Sequence, residues 1–105
     1  MSFQVVITQT AKQDLNDTFE YIYNDLQSPL AALHYLNKME GAIFSLNEFP
    51  KRYPIYAENL WEKRKLRVMT SGNYRVYYIV DEPQQIVTVI RVLYHGCDAS
   101  LIQLS

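Results

Sequence analysis

The sequence predicts an α+β fold of order β-α-α-β-β-β, with an antiparallel helical hairpin packed on one face of a mainly antiparallel sheet. Three observations predict it. Two consecutive stretches, 10–26 and 29–46, repeat apolar residues at spacings of three and four, the period of a helix with one buried face. From Lys65 to Asp81 a β-rich run, a Ser71-Gly72-Asn73 turn and a second β-rich run read as a hairpin, because Gly and Asn accept the backbone that tight turns need. Ile86 to Tyr94 is almost continuously apolar, the pattern of a strand in a central or doubly covered position.

Phe3 to Ile7 supplies the first strand. Thr10-Ala11-Lys12-Gln13 has the form of a capping box and predicts the first helix start at Thr10. Ala11, Leu15, Thr18, Phe19, Ile22 and Leu26 then share one face, and Asp14, Asp17 and Glu20 sit where the helix dipole favours acids. Gln27-Ser28-Pro29 ends that helix and starts another, with Ser28 as cap and Pro29 at the first helical position. The second stripe is Ala32, Leu36, Met39, Ile43 and Leu46, widened by Leu33 and Phe44. Gly41 inside it costs roughly 1 kcal/mol relative to Ala, which reads as room for a close helix contact. The connection is too short for anything but an antiparallel pair, and the two stripes leave water only by lying on a sheet. Phe49-Pro50 closes the second helix, and residues 50–62 form a loop with Tyr53, Tyr56 and Trp61. Asp81 to Gln85 is a second turn, and 96–105 a short turn or frayed tail. No feature places the first strand within the sheet.

At 105 residues the chain is a single domain, 1–105, and its 49 % hydrophobic and 20 % charged fractions exclude a disordered protein. One cysteine, Cys97, rules out an internal disulfide framework. No signal-peptide pattern opens the chain and no apolar run approaches bilayer length, so a cytoplasmic location without a membrane partner is expected. The net charge of −1 conceals an asymmetry: residues 1–60 carry four Lys/Arg against seven Asp/Glu, residues 61–105 six against four. Lys51, Arg52, Lys63, Arg64, Lys65, Arg67 and Arg75 cluster against only Glu58 and Glu62, a patch that attracts phosphates or an acidic partner or forms a solvated face. His34, His95 and Cys97 are too few for a metal site, and three scattered glycines make no phosphate-cradling loop, so no cofactor is expected.

Strand alternation separates two faces. Leu66, Val68, Val76 and Tyr78 are assigned to the helical hairpin. The opposite face then collects Lys65, Arg67, Arg75, Tyr77, Arg91 and His95, with Met69, Ile79, Val87, Val89 and Leu93 among them. Cations there suit a phosphate ligand or RNA cleavage, in which they stabilise a pentacoordinate phosphate while Tyr77 or His95 exchanges protons. The apolar residues make it a protein-binding surface instead, and that reading is preferred.

Several motifs then occur in a joint order: Ala11-x-x-Asp14-Leu15 leading to Tyr21-Ile22, Ser45-Leu46-x-x-Phe49-Pro50, Asn73-Tyr74-Arg75-Val76-Tyr77-Tyr78-x-Val80-Asp81, and Ile90-Arg91-Val92-Leu93-Tyr94-His95-Gly96-x-Asp98. Across nearly the whole chain they resemble the RelE/ParE superfamily of toxins from bacterial type II toxin–antitoxin systems, which serve growth inhibition and plasmid stabilisation. The last resembles an Arg-Val-Leu-His-Gly-x-x-Asp ending of ParE-like members, with Tyr94 as an extra residue. The resemblance implies a cognate antitoxin that wraps the toxin, and the surface for it is Lys65, Arg67, Arg75, Tyr77, Val87, Val89, Arg91 and Leu93. It also implies one of two targets. RelE-like members cleave mRNA in the ribosome; Lys65, Arg67 and Arg75 match their basic residues and a later arginine falls near His95, but Leu101 stands where a C-terminal tyrosine is expected. ParE-like members poison DNA gyrase and are not nucleases, and the long hairpin and the His95-Gly96-x-Asp98 ending lean that way. An inactive relative that only binds its antitoxin is the third reading.

Overall fold

A short strand, Gln4–Ile7 (β1), leads directly into the first helix in the computed structural model, which describes residues 2–56 and 65–96. Trp61, Lys63, Arg64, Cys97, Asp98 and Leu101 lie outside the described residues. Helix α1 spans Gln9–Glu20 and is capped by Thr8, not Thr10. The Thr8 hydroxyl accepts from the Ala11 N–H at 3.1 Å and donates to the Ile90 carbonyl at 3.1 Å. That second bond ties the helix start to the sheet, a contact the Thr10–Gln13 pattern lacks. The helix widens into a π turn, Tyr21–Asp25, and Gln27 reverses the chain at φ 51°. Helix α2, Pro29–Phe44, starts where Ser28-Pro29 predicts, although the Ser28 side chain makes no capping bond. Two 3₁₀ turns, Ser45–Asn47 and Pro50–Arg52, follow it.

The remaining strands are β2 (Arg67–Ser71), β3 (Tyr74–Asp81) and β4 (Ile86–Tyr94), in the spatial order β1-β4-β3-β2. β1 runs parallel to β4, and the other pairs are antiparallel. This is the predicted element order, with β4 in an interior position. Gly72 takes the hairpin turn at φ 60°, where a side chain would be strained. The outer edge of β2 is partly covered, since Tyr56 donates to the Leu66 carbonyl at 2.7 Å and Val68 to the Pro54 carbonyl at 3.1 Å.

The structure overturns the face assignment. Arg67 pairs with Tyr78 and Met69 with Val76, so Arg67 and Met69 share the helix-covered side, while Val68 pairs with Tyr77 on the other. On β4 Tyr77 pairs with Arg91 and Tyr78 with Val89, which leaves Ile90 as the extra residue of a bulge. The bulge shifts the alternation by one. Val87 and Val89 therefore join Val92 beneath the helices, in one cluster with Ala11, Leu15, Tyr35, Met39, Ile43, Leu46, Met69, Val76 and Tyr78. A smaller cluster on the opposite side holds Leu66 and Tyr77, packed by Tyr56, Val68, Ile79, Ile90 and Leu93. The helix stripes are also narrower than predicted. Leu26, Leu33 and Phe44 are exposed, and Tyr35 takes a core place. Gly41 permits no close contact, because nothing lies within 4 Å of where its Cβ would stand.

Candidate functional site: a divided set of cations and a tyrosine pocket

The basic residues do not gather on one face. Arg67 points its guanidinium to the loop after α2, where Nη1 donates to the carbonyls of Lys51 at 3.1 Å and Tyr53 at 2.7 Å. Lys51, Lys65 and Arg67 border a cavity of about 360 Å³ together with Asp81 and Glu82. Lys51 donates to the Glu82 carboxylate, and this hydrogen bond, then the Lys51 charge, holds the Glu82 carboxyl below its ordinary range, with Lys65 and Arg67 adding to it. Arg75 lies on the opposite face, across from Thr70 and Leu93. His95 sits at the far end of β4, stacked on Tyr94 at 4.6 Å.

Arg91 is engaged elsewhere. Its Nε and Nη2 donate to the two carboxylate oxygens of Asp14 at 2.7 and 2.9 Å, and the Val92 N–H donates to the same carboxylate at 3.0 Å. Tyr77 is 1 % exposed and meets Tyr56 edge-on at 5.9 Å, so it is a core residue and not a surface acid or base. Val87 and Val89 are fully buried, which removes them from the proposed partner surface. Of the expected surface residues, Lys65 is exposed and Arg67, Arg75 and Leu93 are half-buried. Among the described residues no group of three or more His, Cys, Asp or Glu gathers to hold a metal, and no helix is long and apolar enough to cross a membrane.

Sequence reasoning missed three features. One is the Asp14–Arg91 clasp, for which the signal was the presence of both residues in separate motifs. The second is Tyr78, whose hydroxyl donates to the Pro50 carbonyl at 2.5 Å and is pushed up to about 12 by burial. The third is a cavity of about 690 Å³ between the turn of the helical hairpin and the end of the sheet, walled by Tyr21, Tyr74 and Tyr94 with Asp17 at its side. Burial raises the Tyr74 phenol, and Tyr94 and Tyr21 raise it further.

Residues 5–98 match the family described as the ParE toxin of the type II toxin–antitoxin system parDE. No curated protein matches the sequence. Among solved structures, a chromosomal ParDE toxin–antitoxin system from P. aeruginosa aligns with TM-score 0.72 and 14 % identity, over 89 % of this chain and 96 % of that one. The toxin–antitoxin complex RelBE2 from Mycobacterium tuberculosis aligns with TM-score 0.65 and 21 % identity, over 92 % and 95 %. A doubly substituted E. coli toxin RelE in the free state aligns with TM-score 0.59 and 15 % identity, over 91 % and 86 %. At these identities the likeness to the structures is one of fold.

Proposed function

Because the chain belongs to the ParE toxin family of type II toxin–antitoxin systems, we propose that it arrests growth by acting on DNA gyrase in the cytoplasm and is neutralised by a cognate antitoxin. The observation that carries the choice of target is the division of the basic residues. Arg67 and Arg75 lie on opposite faces of the sheet. Arg67 is level with Tyr78 and Val89, and His95 lies six residues beyond Val89, roughly 20 Å along the strand at about 3.3 Å per residue. In-line cleavage of RNA requires its cations and proton carriers within hydrogen-bond reach of one phosphate. Lys65, Arg67, Arg75 and His95 do not meet that condition, which favours a toxin that is not a nuclease. The antitoxin surface then comprises the half-buried Arg75 and Leu93 on the sheet face away from the helices and Lys65 and Arg67 at β2. Arg91 contributes little charge to it, being paired with Asp14.

Purified protein is expected to inhibit supercoiling by gyrase, or to trap cleaved DNA, in proportion to its concentration. Growth arrest in cells combined with unaffected gyrase activity overturns the reading. One observation favours the second reading, ribosome-dependent mRNA cleavage: Lys51, Lys65 and Arg67 converge on one cavity. On that reading Arg67→Ala abolishes toxicity and leaves transcripts intact, whereas on the gyrase reading transcripts are intact already with the wild-type chain.

A further inference from the structure

We propose that the pocket walled by Tyr21, Tyr74 and Tyr94 receives a basic side chain, an arginine or a lysine, presented by a polypeptide partner. The bulge at Ile90 makes the pocket possible. Without it the alternation along β4 would carry Tyr94 to the other face. With it Tyr94 stands opposite Tyr74 on the helix-covered side, the two rings edge-on at 5.8 Å. Tyr94 is also backed by its neighbours. His95 stacks on its ring with planes 26° apart, and Gly96 leaves the ring room, since a Cβ there would stand 3.4 Å from two of its ring carbons. Tyr74 in turn is set by an edge contact with Tyr35 at 4.9 Å. Ring contacts thus hold Tyr74 and Tyr94 against each other, while Tyr21 and Tyr94 remain 53 % and 50 % exposed.

The chemistry of the lining selects the occupant. Tyrosine faces attract cations through the ring quadrupole. Among the described residues Asp17 brings the only formal charge to the lining, and no described Lys, Arg or His borders it. One Asp17 oxygen accepts from Gln13 at 2.7 Å, which orients the carboxylate and leaves the other oxygen for a ligand. An acidic occupant would be repelled, and a purely apolar one would strip water from Asp17 without replacing its hydrogen bonds. Ile22, Leu26 and Ala31 supply the apolar wall on which the methylene stem of Arg or Lys lies. The surroundings fit a basic partner as well, since Asp17, Glu20 and Asp25 are exposed and none of them forms an ion pair among the described residues. The mouth continues as apolar surface at Leu26, and Leu30, next to Ala31 in sequence, is exposed, which suits a polypeptide better than a free small cation.

The inference stands apart from the choice between gyrase and ribosome. N-acetylargininamide is titrated into the full chain while the tyrosine ring resonances are followed by NMR. The resonances of Tyr21, Tyr74 and Tyr94 are expected to shift saturably, and the norleucine analogue, which keeps the stem and lacks the charge, is expected to leave them in place. Asp17→Asn, checked for folding by circular dichroism, weakens the response about threefold to fivefold, the scale of an exposed ion pair. Equal shifts with the norleucine analogue mean a merely apolar groove. Shifts on dilution without any probe mean a second copy of this chain as the occupant. Either result, or no shift at all, overturns the proposal.

Discussion

Asp14 shows how one side chain joins two layers. β1 accompanies β4 only as far as Val89, so beyond that point no strand among the described residues lies beside the outer edge of β4. The peptide groups there still require partners. Thr8 donates its N–H to the Val89 carbonyl and its hydroxyl to that of Ile90, and Asp14 accepts from Val92. Helix α1 thereby completes the strand that β1 leaves unfinished, and the Arg91 guanidinium compensates the charge Asp14 brings into a half-buried place. The side chains of Arg91 and Asp14 keep 25 % and 12 % of their exposure. Removing either partner breaks this charge-assisted pair in a half-buried place, so Asp14→Ala and Arg91→Ala each cost about 2–3 kcal/mol. The double variant should fall short of their sum by roughly 1–2 kcal/mol, as contacting residues do. Urea denaturation of the four proteins measures this. Additive losses would show that Asp14 acts through the Val92 N–H alone.

At the scale of elements, α2 carries an avoidable weakness. Gly41 is exposed, inside the helix, and has open space where a Cβ would stand. Gly41→Ala removes unfolded-state freedom at no steric cost and should stabilise the chain by about 0.5–1 kcal/mol, read as a higher denaturation midpoint with an unchanged slope. Unaltered or lower stability would mean that the α2 backbone at this position does not accept a side chain without strain. The order of elements and the Ser28-Pro29 and Gly72-Asn73 boundaries were legible because breakers and periodicity act locally. The partition of faces was not. A hairpin register depends on how the loop pairs beyond it, and a single bulge at Ile90 inverts every side chain that follows. Both ambiguities fall between Leu66 and Tyr94, so in this region the sequence specifies the strands but not which of their side chains reach the surface. Thr8 was lost to Thr10 for a related reason. The bond that decides between them goes to Ile90, eighty-two positions away.

For the molecule as a whole, two buried phenols of the same core, Tyr35 from α2 and Tyr78 from β3, set an alkaline limit. Tyr35 projects from α2 into the core, where its hydroxyl lies near Thr18 without reaching full hydrogen-bond geometry, so Thr18 offsets only part of the effect of burial. Tyr78 donates to Pro50 at the other end of the core. Burial pushes both up to about 12 from an ordinary 10, and nearby positive charge from Arg67 and Arg52 lowers Tyr78 only in part. The sign follows from the protonated form being the one the core holds. Below pH 10 both phenols are neutral in the folded and unfolded chains, and their contribution to stability is fully present. Between 10 and 12 the unfolded chain releases these protons and the folded chain keeps them, so stability falls as pH rises. Denaturation midpoints measured from neutral pH upward should therefore decline from about pH 10, together with a delayed rise in tyrosinate absorbance that coincides with loss of the helical circular dichroism signal. Tyr78→Phe separates the two groups. At neutral pH it costs about 1–3 kcal/mol, because the Pro50 carbonyl is left unpaired in a dry place. Above pH 10 its stability should decline less steeply than that of the wild type, since one of the two withheld protons is gone. An identical slope would mean that Tyr78 ionises without unfolding, and that the core beneath the Pro50 turn admits water.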